Sequence, residues 1–197
     1  LSELLKAFIK KRDNKPGHVF LGVVHRLDRP VSGAVIFAKT SKALTRLNEM
    51  LKKREIQKRY LAIVSNCPKE TEGTLKNYLI KDEKHNFVKV FDEEVSGSQY
   101  AELNYKLVGK SKTFYILNIN LITGRSHQIR SQLSHIGCPI AGDNKYGYKR
   151  ANPDRSICLH SHTIDFVHPV SKKEINIIAP FPKNNKIWEI TNGNSDI

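Results

Sequence analysis

The chain has 197 residues and a net charge of +14, from 33 Lys and Arg against 19 Asp and Glu. That excess points to a polyanionic partner, either nucleic acid or an anionic membrane surface. No run of about 18 apolar residues exists to span a bilayer. The three cysteines, Cys67, Cys138 and Cys158, contain no CxxC pair. This excludes a disulfide framework and a thiolate metal site, and it fits reduced thiols in the cytosol. The length and the ordinary 39% hydrophobic content suit a single catalytic-size domain over 1–197.

The predicted elements run as follows. Leu1, Leu4, Leu5, Phe8 and Ile9 recur at the spacing of one helix face. Lys10-Lys11-Arg12 place cations at that helix's negative end, and Asn14-Lys15-Pro16-Gly17 stops it. Val19 to Val24 is a short apolar run. The loop His25-Arg26-Leu27-Asp28-Arg29-Pro30-Val31-Ser32-Gly33 follows. It sets one carboxylate between two arginines, and nearby fixed cations keep a carboxylate ionised. Pro30 and Gly33 are expected to set the next turn, the first by fixing φ and the second by permitting unusual φ and ψ. Ala34 to Ala38 reads as a buried strand. An ionised Asp on a stiffened loop suits a nucleophile or base; a simple turn or surface ion pair is the alternative.

Thr40 or Ser41 caps a second helix whose apolar positions are Ala43, Leu44, Leu47, Met50 and Leu51. Lys58 to Val64 reads as a strand with Tyr60, Ala62 and Val64 on one face. Tyr60, beside Lys58-Arg59, is either a base-stacking ring or a core tyrosine. Weaker strands at 73–80 and 87–91 flank a charged turn at 81–84. The stretches 100–108 and 113–122 alternate well and form a hairpin through Gly109 to Lys112. Thr123-Gly124 then turns into a helix over roughly 126–136, which Gly137 ends. Strands at 163–167 and 174–178 close the pattern around His168 to Ser171. The fold class is α+β, with a mainly antiparallel mixed central sheet flanked by helices and loops.

Thr123 to Arg130 ends a strand and opens a helix, where backbone N–H groups attract anions. Arg125, His127 and Arg130 add positive charge there. On a helix, His127, Arg130 and Ser134 share a face beside the buried stripe of Ile129, Leu133 and Ile136. Arg130 is thus expected at the border of core and solvent, where it can turn toward a carboxylate. A solvated basic face is the alternative. Three other motifs fail. His25-Arg26-Leu27-Asp28 lacks the Gly-rich loop and DFG of a kinase. Gly109-Lys110-Ser111 has Asn104 where a P-loop needs Gly. His160, His162 and His168 have no fourth ligand at zinc spacing, so no metal is expected.

Five segments together resemble the RluA-type RNA pseudouridine synthases. They are His25 to Asp28 with Ser32-Gly33, Lys58-Arg59-Tyr60, Thr123 to Arg130, Gly137 to Asp143 with Tyr146-Gly147, and Leu159-His160 with His168-Pro169. They lie in the family's order across about residues 20 to 182, and the first and third are the most specific. The resemblance implies the pseudouridine synthase fold and isomerisation of uridine in rRNA or tRNA, without cofactor or metal. It implies Asp28 as nucleophile, Arg130 as its partner and Tyr60 as the ring stacked on the target base. It implies that Arg26 flips that base, and Arg29, Arg125 and His127 are expected to bind RNA. Position 31 is Val where the family often has Thr. The expected protein is a cytoplasmic monomer. The family's usual N-terminal strand and an S4-like domain are absent from the sequence, so an incomplete N-terminus is expected. The alternatives are a catalytically silent RNA-binding protein of this fold and a membrane-surface binder. The basic charge of the first helix lies mainly at its end, which suits the latter poorly.

Overall fold

A computed structural model describes residues 1–183 and 185–191. The chain divides into two compact units: residues 1–27, 35–56 and 165–176 form the smaller, and 28–34, 57–164, 177–183 and 185–191 form the larger.

The smaller unit carries α1 (Ser2–Arg12), α2 (Ser41–Lys52) and the short antiparallel pair β1 (Gly22–Val23) and β3 (Phe37–Ala38). The Thr40 hydroxyl accepts from the Ala43 N–H at 3.1 Å, so Thr40 is the cap of α2. Leu47 and Met50 are the buried members of its stripe. A Cβ at Gly22 in β1 would lie 2.8 Å from the end of the Leu44 side chain, so a larger residue there needs that side chain to shift. The apolar stripe of α1 departs from expectation. Only Ile9 is buried, while Leu1, Leu4 and Phe8 are exposed. Periodicity fixes which residues share a face, not whether another element covers it.

The larger unit is built on β2 (Ser32–Gly33), β4 (Gln57–Val64), β5 (Glu72–Asp82), β6 (Phe87–Phe91), β7 (Gln99–Lys110) and β8 (Tyr115–Leu121). Most of β9 (Leu159–Val167) and the end of β10 (Glu174–Ile178) also belong to it. The strand order is β10-β9-β4-β8-β7-β5-β6, with β2 parallel to β9. The pairs β4–β8, β8–β7, β7–β5 and β5–β6 are antiparallel, which gives the expected mixed sheet. The β7–β8 hairpin forms as read, with a bulge between Leu107 and Gly109. Leu61, Ile63, Leu103, Ile116, Leu117, Ile119, Ile140 and Ile164 are fully buried and make the core.

Three local expectations change. Residues 34–38 contribute only two strand residues, and 34–37 stay half-buried. From Tyr60 to Val64 both faces of β4 are buried, so its alternation does not separate core from solvent. Helix α3 (Gln128–His135) is eight residues long, and every residue from Gln128 to Leu133 is buried. The basic solvent face considered for it therefore does not exist. Among the described residues no helix is long and apolar enough to cross a membrane.

Candidate active site

The Asp28 loop is stitched to the sheet of the larger unit. Val31 N–H donates to the Asp28 carbonyl at 2.9 Å, closing a tight turn over Arg29-Pro30. The Pro30 carbonyl accepts from Ile157 N–H at 3.0 Å, and Ala34 N–H donates to the Ser161 carbonyl at 2.9 Å. Between these points Ser32 and Gly33 run beside His160 and Ser161. Gly33 does not form the turn; it permits this approach. Its φ is +117°, and a Cβ there would fall 2.3 Å from the Ser161 carbonyl oxygen. The Ser32 hydroxyl meets His160 Nδ1 at 2.8 Å, and His160 Nε2 meets the Ala179 carbonyl at 3.2 Å. A carbonyl only accepts, so Nε2 carries the proton and Ser32 donates to Nδ1. His160 thus anchors the loop. His168 accepts from Val170 N–H and Ser171 N–H in its own turn.

The second wall comes from the Thr123–Arg130 segment. The Gln128 side chain folds back over the turn. Its oxygen accepts from Thr123 Oγ1 at 2.8 Å and Arg125 N–H at 2.9 Å. Its amide donates to the Glu102 carbonyl at 3.0 Å. His127 does not lie on the helical face read from the sequence. It sits just before α3 in the left-handed region, with φ 50° and ψ 19°.

These two walls bring Asp28, Arg130 and His127 together. Arg130 Nη1 donates to Asp28 Oδ2 at 3.2 Å, and His127 Nε2 lies 3.9 Å from the same oxygen. Arg130 is held from behind. Its Nε and Nη2 donate to Asp143 Oδ2 and Oδ1 at 2.7 and 3.0 Å. Its guanidinium also lies over the Tyr146 ring, 4.9 Å from the centroid. Arg130 is only 5% exposed and Asp143 only 1%. Burial opposes the Arg130 charge, but the bonds to Asp143 and Asp28 raise its pKa, so the guanidinium stays charged. Asp28 is half-buried and keeps one oxygen free of the two side chains that face it.

Tyr60 fits the core reading made of it and lies within the field of Asp28. It is 6% exposed, as a core ring would be, yet its phenol feels the Asp28 charge. Burial, reinforced by Asp28 and opposed by Ser161, pushes its pKa up to about 12. The phenol is therefore neutral at ordinary pH and starts as a hydrogen-bond donor.

Arg29 is exposed on the turn, and Arg125 is exposed with its Nε donating to the Tyr100 carbonyl at 3.0 Å. Arg26 is exposed on the smaller unit. Residue-by-residue reading missed Asp143 and Tyr146 as parts of the site. The available signal was an acidic residue one glycine after the apolar run Ile140-Ala141.

A sequence profile described as RNA pseudouridylate synthase matches residues 1–135. The chain belongs to the RNA pseudouridylate synthase family. A ribosomal large subunit pseudouridine synthase C from Buchnera aphidicola subsp. Baizongia pistaciae is 33% identical over 174 residues, covering 84% of this chain and 55% of that protein. A protein named uncharacterized RNA pseudouridine synthase from Synechocystis is 36% identical over 166 residues, covering 82% and 50%. The chain thus spans about half the length of such relatives. Among solved structures, human RNA pseudouridylate synthase domain containing 4 superposes with a TM-score of 0.76 at 20% identity, over 93% of this chain and 79% of that one. That likeness shows the fold. The RluA-type resemblance of the five segments agrees with the family and with relatives named pseudouridine synthases.

Proposed function

We propose that this chain isomerises uridine to pseudouridine in RNA, either rRNA or tRNA, as one cytoplasmic catalytic domain acting as a monomer. The reaction breaks the C1′–N1 bond and forms a C1′–C5 bond. C5 loses its hydrogen to solvent and N1 takes up a proton, so no redox partner, metal or group donor is needed. In this reading Asp28 is the nucleophile, at C1′ or at C6 of the uracil. Arg130 is its charged partner, Arg26 flips the target base out of the stack, and Tyr60 stacks on that base. Arg29, Arg125 and His127 supply contacts to the RNA.

One observation carries the proposal. The charged Arg130, locked on the buried Asp143, directs its remaining Nη1 at the half-buried Asp28. A buried cation fully paired with one carboxylate has no structural need of a second. The arrangement suits a carboxylate used in chemistry, held by a fixed cation and still reachable by a substrate. The neutral Tyr60 phenol beside Asp28 fits a group that later passes the C5 proton onward.

The direct test is tritium release from RNA carrying C5-tritiated uridine, with the purified chain and EDTA present. Stoichiometric release with pseudouridine in the digest supports the reading. RNA binding without release supports the catalytically silent alternative. Mapping pseudouridines in total RNA with and without the gene then names the substrate.

A further inference from the structure

Tyr146 has one hydroxyl proton and two polar neighbours. Its oxygen accepts from Val88 N–H at 2.9 Å, and His127 Nδ1 lies 2.8 Å away. The peptide N–H can only donate, so the hydroxyl proton is free to point at Nδ1. The ring nitrogen then accepts, and the imidazole proton resides on Nε2. Nε2 is the nitrogen that faces Asp28 Oδ2 at 3.9 Å.

Resting on the isomerase reading above, we infer that His127 is a positioning residue whose Nε2–H, oriented by Tyr146, holds Asp28 Oδ2 and leaves Oδ1 to act on the substrate. Arg130 Nη1 already donates to that same oxygen at 3.2 Å. The distance to His127 exceeds a hydrogen bond, and such bonds tighten when substrate fills a site. A modest rotation of the carboxylate closes it. The two oxygens of Asp28 then differ: Oδ2 holds two donors, and no side chain among the described residues donates to Oδ1.

The surroundings favour this protonation state. Burial lowers the His127 pKa from its ordinary value, and the positive charges of Arg130 and Lys145 add to that, while Asp28 and Asp143 oppose it. A doubly protonated ring would make Tyr146 accept from both Nδ1–H and Val88 N–H. Its own proton would then lack the acceptor it has now. The opposite neutral tautomer would turn a lone pair toward the Asp28 carboxylate, which is repulsive. The parts are also held firmly. Phe87 stacks on Tyr146 with centroids 4.8 Å apart, and the His127 ring meets Tyr146 edge-on at 5.7 Å. The left-handed backbone of His127 is costly for a residue with a Cβ, and the Gln128 brace maintains it beside the site.

Two measurements test this. Long-range proton–nitrogen NMR on the substrate-free chain reads the His127 tautomer. The Nε2–H form is expected near neutral pH, and an Nδ1–H or doubly protonated ring would overturn the inference. Tyr146→Phe keeps the ring that Phe87 and Arg130 contact but removes the donor to Nδ1. It should lower kcat about tenfold, with KM changed by less than about twofold. Without that donor the neutral ring loses support, so the acid limb of the kcat profile should move to higher pH. Lower thermal stability with an unmoved pH profile would make Tyr146 a structural residue and overturn the inference. The tautomer is read without substrate. An inactive chain therefore sinks the isomerase reading alone, and a wrong tautomer sinks the His127 role alone.

Discussion

Arg130 meets two carboxylates that have opposite surroundings. Asp143 is 1% exposed and takes two charge-assisted hydrogen bonds from the guanidinium. Asp28 is half-buried and takes one longer bond from the same group. The first pair fixes a cation in place; the second offers that cation to a carboxylate which remains reachable. The difference teaches where stability and chemistry separate in this fold. Removing the Asp143 side should cost the protein its structure, and removing the Asp28 side should cost it only turnover.

Arg130→Met should give the largest loss of stability. It strands the buried Asp143 without its partner, a change that costs about 3–5 kcal/mol. Urea unfolding measures this. Arg130→Lys keeps a charge but not the two-pronged geometry, so it should recover part of the stability and little of the turnover. Equal stability of Met and wild type would show that Asp143 finds another partner and that the comparison is mistaken.

Gly33→Ala should follow. A Cβ at φ +117° collides with the Ser161 backbone, which lies 2.3 Å away. Strain of this kind costs about 1–3 kcal/mol, and it should displace the loop that carries Asp28. Thermal unfolding together with C5-tritium release should show a moderate loss of stability and a severe loss of activity. Unchanged kinetics would mean that the loop is not positioned by β9.

Tyr60 separates ring from hydroxyl. Tyr60→Ala should destabilise by about 3–5 kcal/mol, as for other buried aromatic truncations. Tyr60→Phe should stay within about 1 kcal/mol of wild type and bind RNA normally. It should turn over more slowly if the neutral phenol takes part in chemistry. Full activity of the Phe variant would reduce Tyr60 to a core ring.

Local signals made much of this legible in the sequence. A cap at Thr40 or Ser41 was recognisable because both hydroxyls precede an amphipathic run, and the structure selects Thr40. The β7–β8 hairpin was recognisable because two alternating stretches flank a Gly-containing turn. The Asp28 and Arg130 segments were paired through a family resemblance, and the structure places them 3.2 Å apart. The failures share one cause. Periodicity says which residues share a face and not how many faces are covered. Helix α3 has polar residues that a two-sided picture sends to solvent, yet Gln128, Arg130 and Gln132 are all buried. Gln132 Nε2 donates there to Asn77 Oδ1 at 2.8 Å, while its Oε1 meets no donor among the described residues. Asp143 in a Gly-Asp-Asn stretch looks like an ordinary turn. Its buried partner is set by tertiary packing, which no local pattern encodes. The same holds for His127, whose left-handed backbone takes it off the helical face drawn through Arg130.

Asp28→Asn should disturb the fold least, within about 1 kcal/mol, since its ion pair is partly exposed and Arg130 keeps Asp143. It is also the most direct test of the division between the two carboxylates. The purified variant would be measured for C5-tritium release from RNA alongside its urea unfolding curve. The account predicts wild-type stability, near-wild-type RNA affinity and no detectable release. Release at the wild-type rate would contradict it, and so would a stability loss as large as that of Arg130→Met.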